Sequence, residues 1–195
     1  MPNDVFLLPT GAGQSRKLTY KRFESISKVA WLPDGRSLLI AATEPAHSVR
    51  LYVQPLENGD ARAIAPEGCD VNQSGKSMSP DGKFIAAIDP DGKVFLVALD
   101  GSAPRSAAGI EKGEVPTGWT ADGRSFYVFR RGELPAKVFR VDIATGRRVL
   151  WKELMPSDVT GVVGVGNFVI TPDGRSYAYS YSRNLSDLYV VDGVK

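Results

Sequence analysis

Short apolar runs of five or six residues recur along the chain: "SLLIAA" (37–42), "FIAAI" (84–88), "SFYVF" (125–129) and "SYAYSY" (176–181). Each is rich in aromatic or β-branched side chains, and each follows polar turn residues. Runs this short fit β-strands rather than helices. The turns before them read "LPDGRS" (32–37), "SPDGKF" (79–84), "TADGRS" (120–125) and "TPDGRS" (171–176). Their aspartates, Asp34, Asp81, Asp122 and Asp173, are separated by 47, 41 and 51 residues.

A second series interleaves with the first. "DVFLLPTG", "SVRLYVQPLENG", "KVFLVALDG", "KVFRVDIATG" and "DLYVVDG" each carry a strand-like run into a turn ending in glycine. Those glycines, Gly11, Gly59, Gly101, Gly146 and Gly193, fall at intervals of 48, 42, 45 and 47 residues. Two independent markers at one period establish an internal repeat.

The turn residues explain the first marker. Proline presets φ at the first corner of a type I turn, and aspartate accepts backbone hydrogen bonds at the second. Glycine then takes the left-handed conformation that returns the chain as a hairpin. In the third copy Ala121 stands where the others have proline.

A unit of about 45 residues with four short strands predicts a blade of a β-propeller. Within each unit, strand a ends at the Asp-Gly turn, strand b follows it, strand c carries the "VFLV"-like run, and strand d follows the second glycine. No amphipathic stretch of helical length is present, so the predicted class is all-β, with four-stranded antiparallel blades and about four blades' worth of chain. The expected division is one propeller: strands c and d of a preceding blade in 1–20, blades in 21–68, 69–110 and 111–155, and strands a to c of a last blade in 156–195. A blade buries its two faces only by stacking on neighbours. Trp31 and Trp119, with Met78 and Ile170 at the matching positions, are therefore expected to pack between blades.

Composition narrows the function. The 195 residues are 43% hydrophobic and 24% charged, with a formal charge of +2. That charge is too small, and its basic residues too scattered, for a nucleic-acid surface; the densest pairs are Arg130-Arg131 and Arg147-Arg148. A single cysteine, Cys69, excludes an internal disulfide and a multi-cysteine metal cluster. No apolar run approaches the roughly 18 residues that span a bilayer, so no membrane contact is expected within this chain. The opening "MPNDVFLLPTGAG" lacks the basic and apolar segments of a signal peptide.

Several motifs suggest chemistry and fail on context. "GKS" (75–77) resembles the end of a phosphate loop, yet the position five residues before Gly75 holds Asp70 rather than glycine, and a hairpin turn follows where a helix is required. The segment reads more simply as strand a of its blade. "GVVGVGNF" (161–168) has no Gly-x-Gly-x-x-Gly and no βαβ context, and no Gly-x-Ser-x-Gly nucleophile elbow occurs. His47, the one histidine, lies in a b–c loop. "DPDGK" (89–93) lacks the further oxygen ligands of a calcium loop. "NQS" (72–74) and "NLS" (184–186) are glycosylation triplets of a kind common by chance. No catalytic, cofactor-binding or metal-binding residue is assigned, and no cofactor is expected. Glu44, Arg130, Arg131, Glu133 and Arg183 lie on exposed loops but carry no chemical signature beyond that, and solvated surface is the expectation for each.

The repeat unit, Trp or Met, then Ser/Thr-Pro-Asp-Gly-Lys/Arg, then an aliphatic or aromatic residue, resembles the WD-like propeller repeat of the TolB type over essentially the whole chain. The C-terminal "YAYSYSRNLSDLYVVDGVK" resembles the closing segment of bacterial transmembrane serine/threonine kinases, whose sensor region is a TolB-like propeller outside the membrane. The kinase's own motifs are missing here: no glycine-rich loop with its lysine, no His-Arg-Asp, no Asp-Phe-Gly. What the resemblance implies is a non-catalytic, periplasmic or extracytoplasmic sensing module for a protein, peptide or cell-envelope ligand. The same repeats also occur in the gating propeller of prolyl-oligopeptidase-like peptidases and in free-standing TolB-like partners of periplasmic complexes. Seventeen strands are expected, four each of a, b and d and five of c. The extra c strand, "DVFLL", has no place in a four-bladed ring, which predicts membership of a larger propeller over a compact four-bladed one.

Overall fold

The computed structural model describes every residue except 1–3, 19–20, 58, 73–75, 188, 190–192 and 194–195. Sixteen strands form five antiparallel sheets among the described residues. The first sheet pairs β1 (Val5–Leu7) with β2 (Arg16–Leu18). Three four-stranded sheets follow in chain order. One holds β3 (Ser25–Trp31), β4 (Ser37–Thr43), β5 (Arg50–Pro55) and β6 (Arg62–Ala63). The next holds β7 (Asp70–Val71), β8 (Phe84–Ile88), β9 (Val94–Ala98) and β10 (Arg105–Ser106). The third holds β11 (Glu114–Trp119), β12 (Ser125–Arg130), β13 (Ala136–Asp142) and β14 (Arg148–Leu154). A last sheet pairs β15 (Val162–Ile170) with β16 (Tyr177–Arg183). Each four-stranded sheet is a meander in sequence order, the topology of a propeller blade.

The predicted apolar runs are the b strands β4, β8, β12 and β16. Their alternate side chains point to opposite faces, and in the three complete sheets both faces are covered. Leu38, Ile40 and Ala42 pack backward on Leu18 and Phe23, while Leu39 and Ala41 pack forward on Ile85, Ala87 and Val97. Ala86 then meets Trp119, Phe126 and Val128, and Tyr127 and Phe129 meet Val165, Phe168 and Ile170. Burial on both faces is why these strands read as unbroken apolar runs instead of alternating ones. The core is thus four clusters, one between each pair of neighbouring sheets.

The four turns have the expected chemistry. Gly35, Gly82, Gly123 and Gly174 take φ of 62°, 69°, 67° and 70°. Asp122 Oδ1 accepts the Arg124 amide at 3.0 Å and the Thr120 hydroxyl at 2.6 Å; Asp81 and Asp173 do the same with their own neighbours. Asp34 follows Leu32 instead of a hydroxyl residue and accepts the Arg36 and Ser37 amides. The turns also touch one another: a Cβ on Gly82 would lie 2.8 Å from Pro33 Cγ. The missing proline in the third turn has a structural reason. The Ala121 amide donates to the Pro172 carbonyl at 2.8 Å, a bond proline cannot make.

Three expectations need correction or qualification. Trp31 does not pack between sheets: it is 55% exposed, while Trp119 is 4% exposed and Ile170 is buried. Trp31 sits on the backward face of β3, where the first sheet supplies, among the described residues, only the pair β1–β2. Of the segment holding "GKS", Asp70–Val71 form β7, the Ser77 carbonyl accepts the Ala86 amide at 2.7 Å and Met78 bridges Ile85, while residues 73–75 lie outside the described residues. The fifth c strand, "DLYVVDG" (187–193), also falls largely outside them, so sixteen strands are described where seventeen were expected.

Candidate interaction face at the loop end of the sheets

In a four-stranded meander the a–b and c–d turns lie at one end of the sheet, and the b–c and d–a loops at the other. In three of the sheets a residue from the d–a loop that enters the sheet clasps the b–c end of that sheet. Arg22 Nε donates to Glu44 Oε1 at 2.8 Å. Glu67 accepts the Ser48 amide and stands 3.3 Å from His47 Nδ1, reaching back from the next loop to the same b–c turn. Arg130 lies 3.5 Å from Glu111 and 3.4 Å from Glu133. Arg183 Nη1 donates to Asp158 Oδ2 at 2.7 Å, and its second nitrogen donates to the Asp158 carbonyl.

These clasps shift the groups they hold. The Tyr52 hydroxyl and then Arg22 stabilise the Glu44 carboxylate and lower its pKa, while burial and Glu44 push Tyr52 up to about 12. The Ser48 amide, then His47, lowers Glu67. The Thr160 amide and hydroxyl, with Arg183, hold Asp158 at about 2. A deeper ion pair lies below the Arg130 cluster: Arg148 Nη2 bonds Glu114 at 2.7 Å, and Glu114 is buried with its second oxygen accepting the Glu111 amide. The partners of Glu44, Glu67 and Asp158 favour their charged forms, so these loops carry fixed negative charges at neutral pH.

A second polar seam follows the inner strands. The Lys28 ammonium donates to the Asp70 carboxylate and, at 2.8 Å, to the Val71 carbonyl of the next sheet. Asn72 donates to the Pro116 carbonyl at 2.7 Å and accepts from Arg131 at 3.0 Å. Lys76 reaches the Ile170 carbonyl, two sheets onward, at 3.0 Å. Between β3 and residues 71–78 lies a groove of about 170 Å³ with walls of Val29, Ala30, Leu39, Ala41, Val71 and Met78 and a polar rim of Lys28, Asn72 and Ser77. It is smaller than the several hundred Å³ typical of small-molecule sites.

All five loop residues singled out from the sequence therefore stand in intramolecular bonds: Glu44 with Arg22 and Tyr52, Arg130 with Glu111 and Glu133, Arg131 with Asn72, and Arg183 with Asp158. Their partners Arg22, Glu111 and Asp158, together with Glu67 and the inner residues Lys28 and Asp70, carried no sequence motif, and Asn72 and Lys76 stood only in the "NQS" and "GKS" triplets, which point to other chemistry. The one available signal was spacing, since the clasped pairs lie 19 to 25 residues apart. Among the described residues no three His, Cys, Asp or Glu side chains are grouped to hold a metal ion, and no helix is long and apolar enough to cross a membrane.

No family model matches the sequence, and no curated protein matches it. Solved structures do match the fold. TolB from Acinetobacter baumannii superposes with a TM-score of 0.61 at 16% identity, over 92% of this chain and 48% of that one. A putative TolB from Agrobacterium tumefaciens gives 0.58 at 20% identity, over 87% and 58%. The fold is that of a TolB-like β-propeller. An oligogalacturonate lyase from Vibrio parahaemolyticus aligns equally well, with a TM-score of 0.63 at 13% identity over 93% and 53%. The chain spans about half the length of each. At these identities the likeness establishes fold alone, and the fold is shared by proteins with and without an enzyme's name.

Proposed function

We propose that this propeller is a non-catalytic binding module that presents its loop end to a protein, peptide or cell-envelope ligand. The observation that carries this reading is the repeated clasp of b–c and d–a loops. Charges already held in ion pairs make a rigid, preorganised polar surface, which lowers the ordering cost of binding. A reacting centre would instead need a base and a nucleophile aimed at a shared open position. The C-terminal resemblance extends the reading: the chain is the C-terminal part of the regulatory region of a bacterial serine/threonine kinase, outside the cytoplasm, and its five sheets form an arc of a larger ring. The kinase chemistry would then belong elsewhere in the polypeptide.

An activity assay tests the first part directly. The purified chain is offered lactone, oligogalacturonate, peptide and phosphoryl-transfer substrates. No turnover above buffer is expected. Turnover that disappears in Glu67→Gln or Asp158→Asn would overturn the binding reading in favour of an enzyme.

A further inference from the structure

We propose that the turn joining β8 to β9 is a site of spontaneous backbone modification, where Asp91 isomerises to a β-linked isoaspartyl residue through a cyclic imide with Gly92. The reaction does not depend on what the loop end binds.

Six Asp-Gly pairs lie among the described residues: 34–35, 81–82, 91–92, 100–101, 122–123 and 173–174. Aspartate followed by glycine is open to this reaction because no side chain on the glycine hinders approach of its nitrogen. The backbone does not separate the six. In every pair the glycine has φ between 62° and 91°, and its amide donates to the carbonyl three residues back at 2.9–3.4 Å.

The carboxylates do separate them. Asp34, Asp81, Asp122 and Asp173 each accept the amide two residues on, and Asp100 accepts the Ser102 amide and hydroxyl. Asp91 is exposed and accepts no bond among the described residues. The local sequence explains why. The amide two residues on belongs to Lys93, and it donates at 2.8 Å to Asp89 Oδ1 instead. Where this turn has Asp89, the four repeat turns have Leu32, Ser79, Thr120 and Thr171. The leucine cannot compete for the amide, and the three hydroxyls donate to the turn aspartate and help to hold it.

A held carboxylate resists the reaction twice over. The Arg36 amide lowers the pKa of Asp34 and the Ser102 amide that of Asp100, while hydroxyls and then amides lower Asp81, Asp122 and Asp173. A charged carboxylate is a poor target for a nitrogen nucleophile, and its hydrogen bonds oppose the rotation that brings Cγ onto the glycine nitrogen. No such bonds restrain Asp91.

The chemistry needs only water. The Gly92 nitrogen attacks Cγ of the protonated Asp91 carboxyl, and the N–H proton and the carboxyl hydroxyl leave together as water, closing a five-membered imide. Water then adds to one imide carbonyl. Opening on the Cα side breaks the bond between the old main-chain carbonyl carbon and nitrogen. That carbon becomes a free carboxylate, and the chain now runs through Cγ, one carbon longer at unchanged mass. A Cβ on Gly92 would lie 3.6 Å from the Gly113 nitrogen, so the turn packs on the d–a loop that enters the next sheet. The longer backbone and displaced carboxylate therefore fall on the loop end.

The experiment is to age the full 195-residue chain in warm neutral buffer. Peptides are then read by mass spectrometry, and isoaspartyl groups are labelled with a carboxyl methyltransferase specific for them and its sulfonium methyl donor. Peptide 84–93, "FIAAIDPDGK", should split into two forms of equal mass and carry several-fold more isoaspartate than any other Asp-Gly peptide. Asp89 does not contribute, since the proline after it has no N–H to give up. Asp91→Glu should abolish the second form. Asp89→Ser copies the second repeat turn, frees the Lys93 amide for Asp91, and should slow the reaction to the level of Asp81. In urea the six pairs should react at similar rates. Isoaspartate spread evenly over the folded chain overturns the proposal. So does an undiminished rate in Asp89→Ser, or a lead of the Asp91 peptide that persists in urea.

Discussion

Asp34, Asp81, Asp122 and Asp173 each accept a backbone amide inside a tight turn, and three of them also accept a hydroxyl. For Asp81, Asp122 and Asp173 the hydroxyl bond is the larger cause of a lowered pKa; for Asp34 it is the Arg36 amide. Each folded value lies below the ordinary 3.8, so these bonds contribute in full above that pH and are lost as pH falls through the depressed values. The urea midpoint should therefore stay level from neutral pH to about 4 and drop below it. A midpoint that rises on acidification would contradict this. Asp122→Ala, which removes two bonds at a largely exposed site, should cost about 0.5–1.5 kcal/mol by urea titration. Ala121→Pro makes the sharper test. It restores the repeat consensus, yet it deletes the amide that bonds Pro172, and it should destabilise the protein instead of stabilising it as consensus turns usually do.

Strands differ in how plainly they were written. The b strands were legible because burial on both faces forces an unbroken apolar run, and the turns were legible because only a few residue types satisfy their backbone. Strand β7 was less plain, since only Asp70 and Val71 form it and Asn72 turns its side chain to the Pro116 carbonyl of the next sheet. The loop clasps were also hidden: their members are ordinary charged residues, some 20 positions apart, with no motif to join them. Trp31 and Trp119 show the deepest limit. They hold the same place in the repeat and differ only in whether a neighbouring sheet covers them, a fact that lies outside their own strands. Trp119→Ala should cost about 3–5 kcal/mol, as expected for a buried aromatic, while Trp31→Ala should change the stability of the single chain by well under 1 kcal/mol. Unfolding curves of the two variants check this.

Taken whole, the molecule is a row of stacked sheets with a repetitive interior. Clasped loops tie one end of three of the sheets, and the Asp-Gly turns lie at the other. Hydrogen exchange on the full chain tests the stacked-sheet core most directly. Amides of β4, β8 and β12 should be protected at every concentration, because those strands are hydrogen-bonded on both sides within one chain. Amides of the two-residue strands β6, β7 and β10 should exchange faster. Exchange across β4, β8 and β12 as fast as in the loops would contradict a core of stacked sheets.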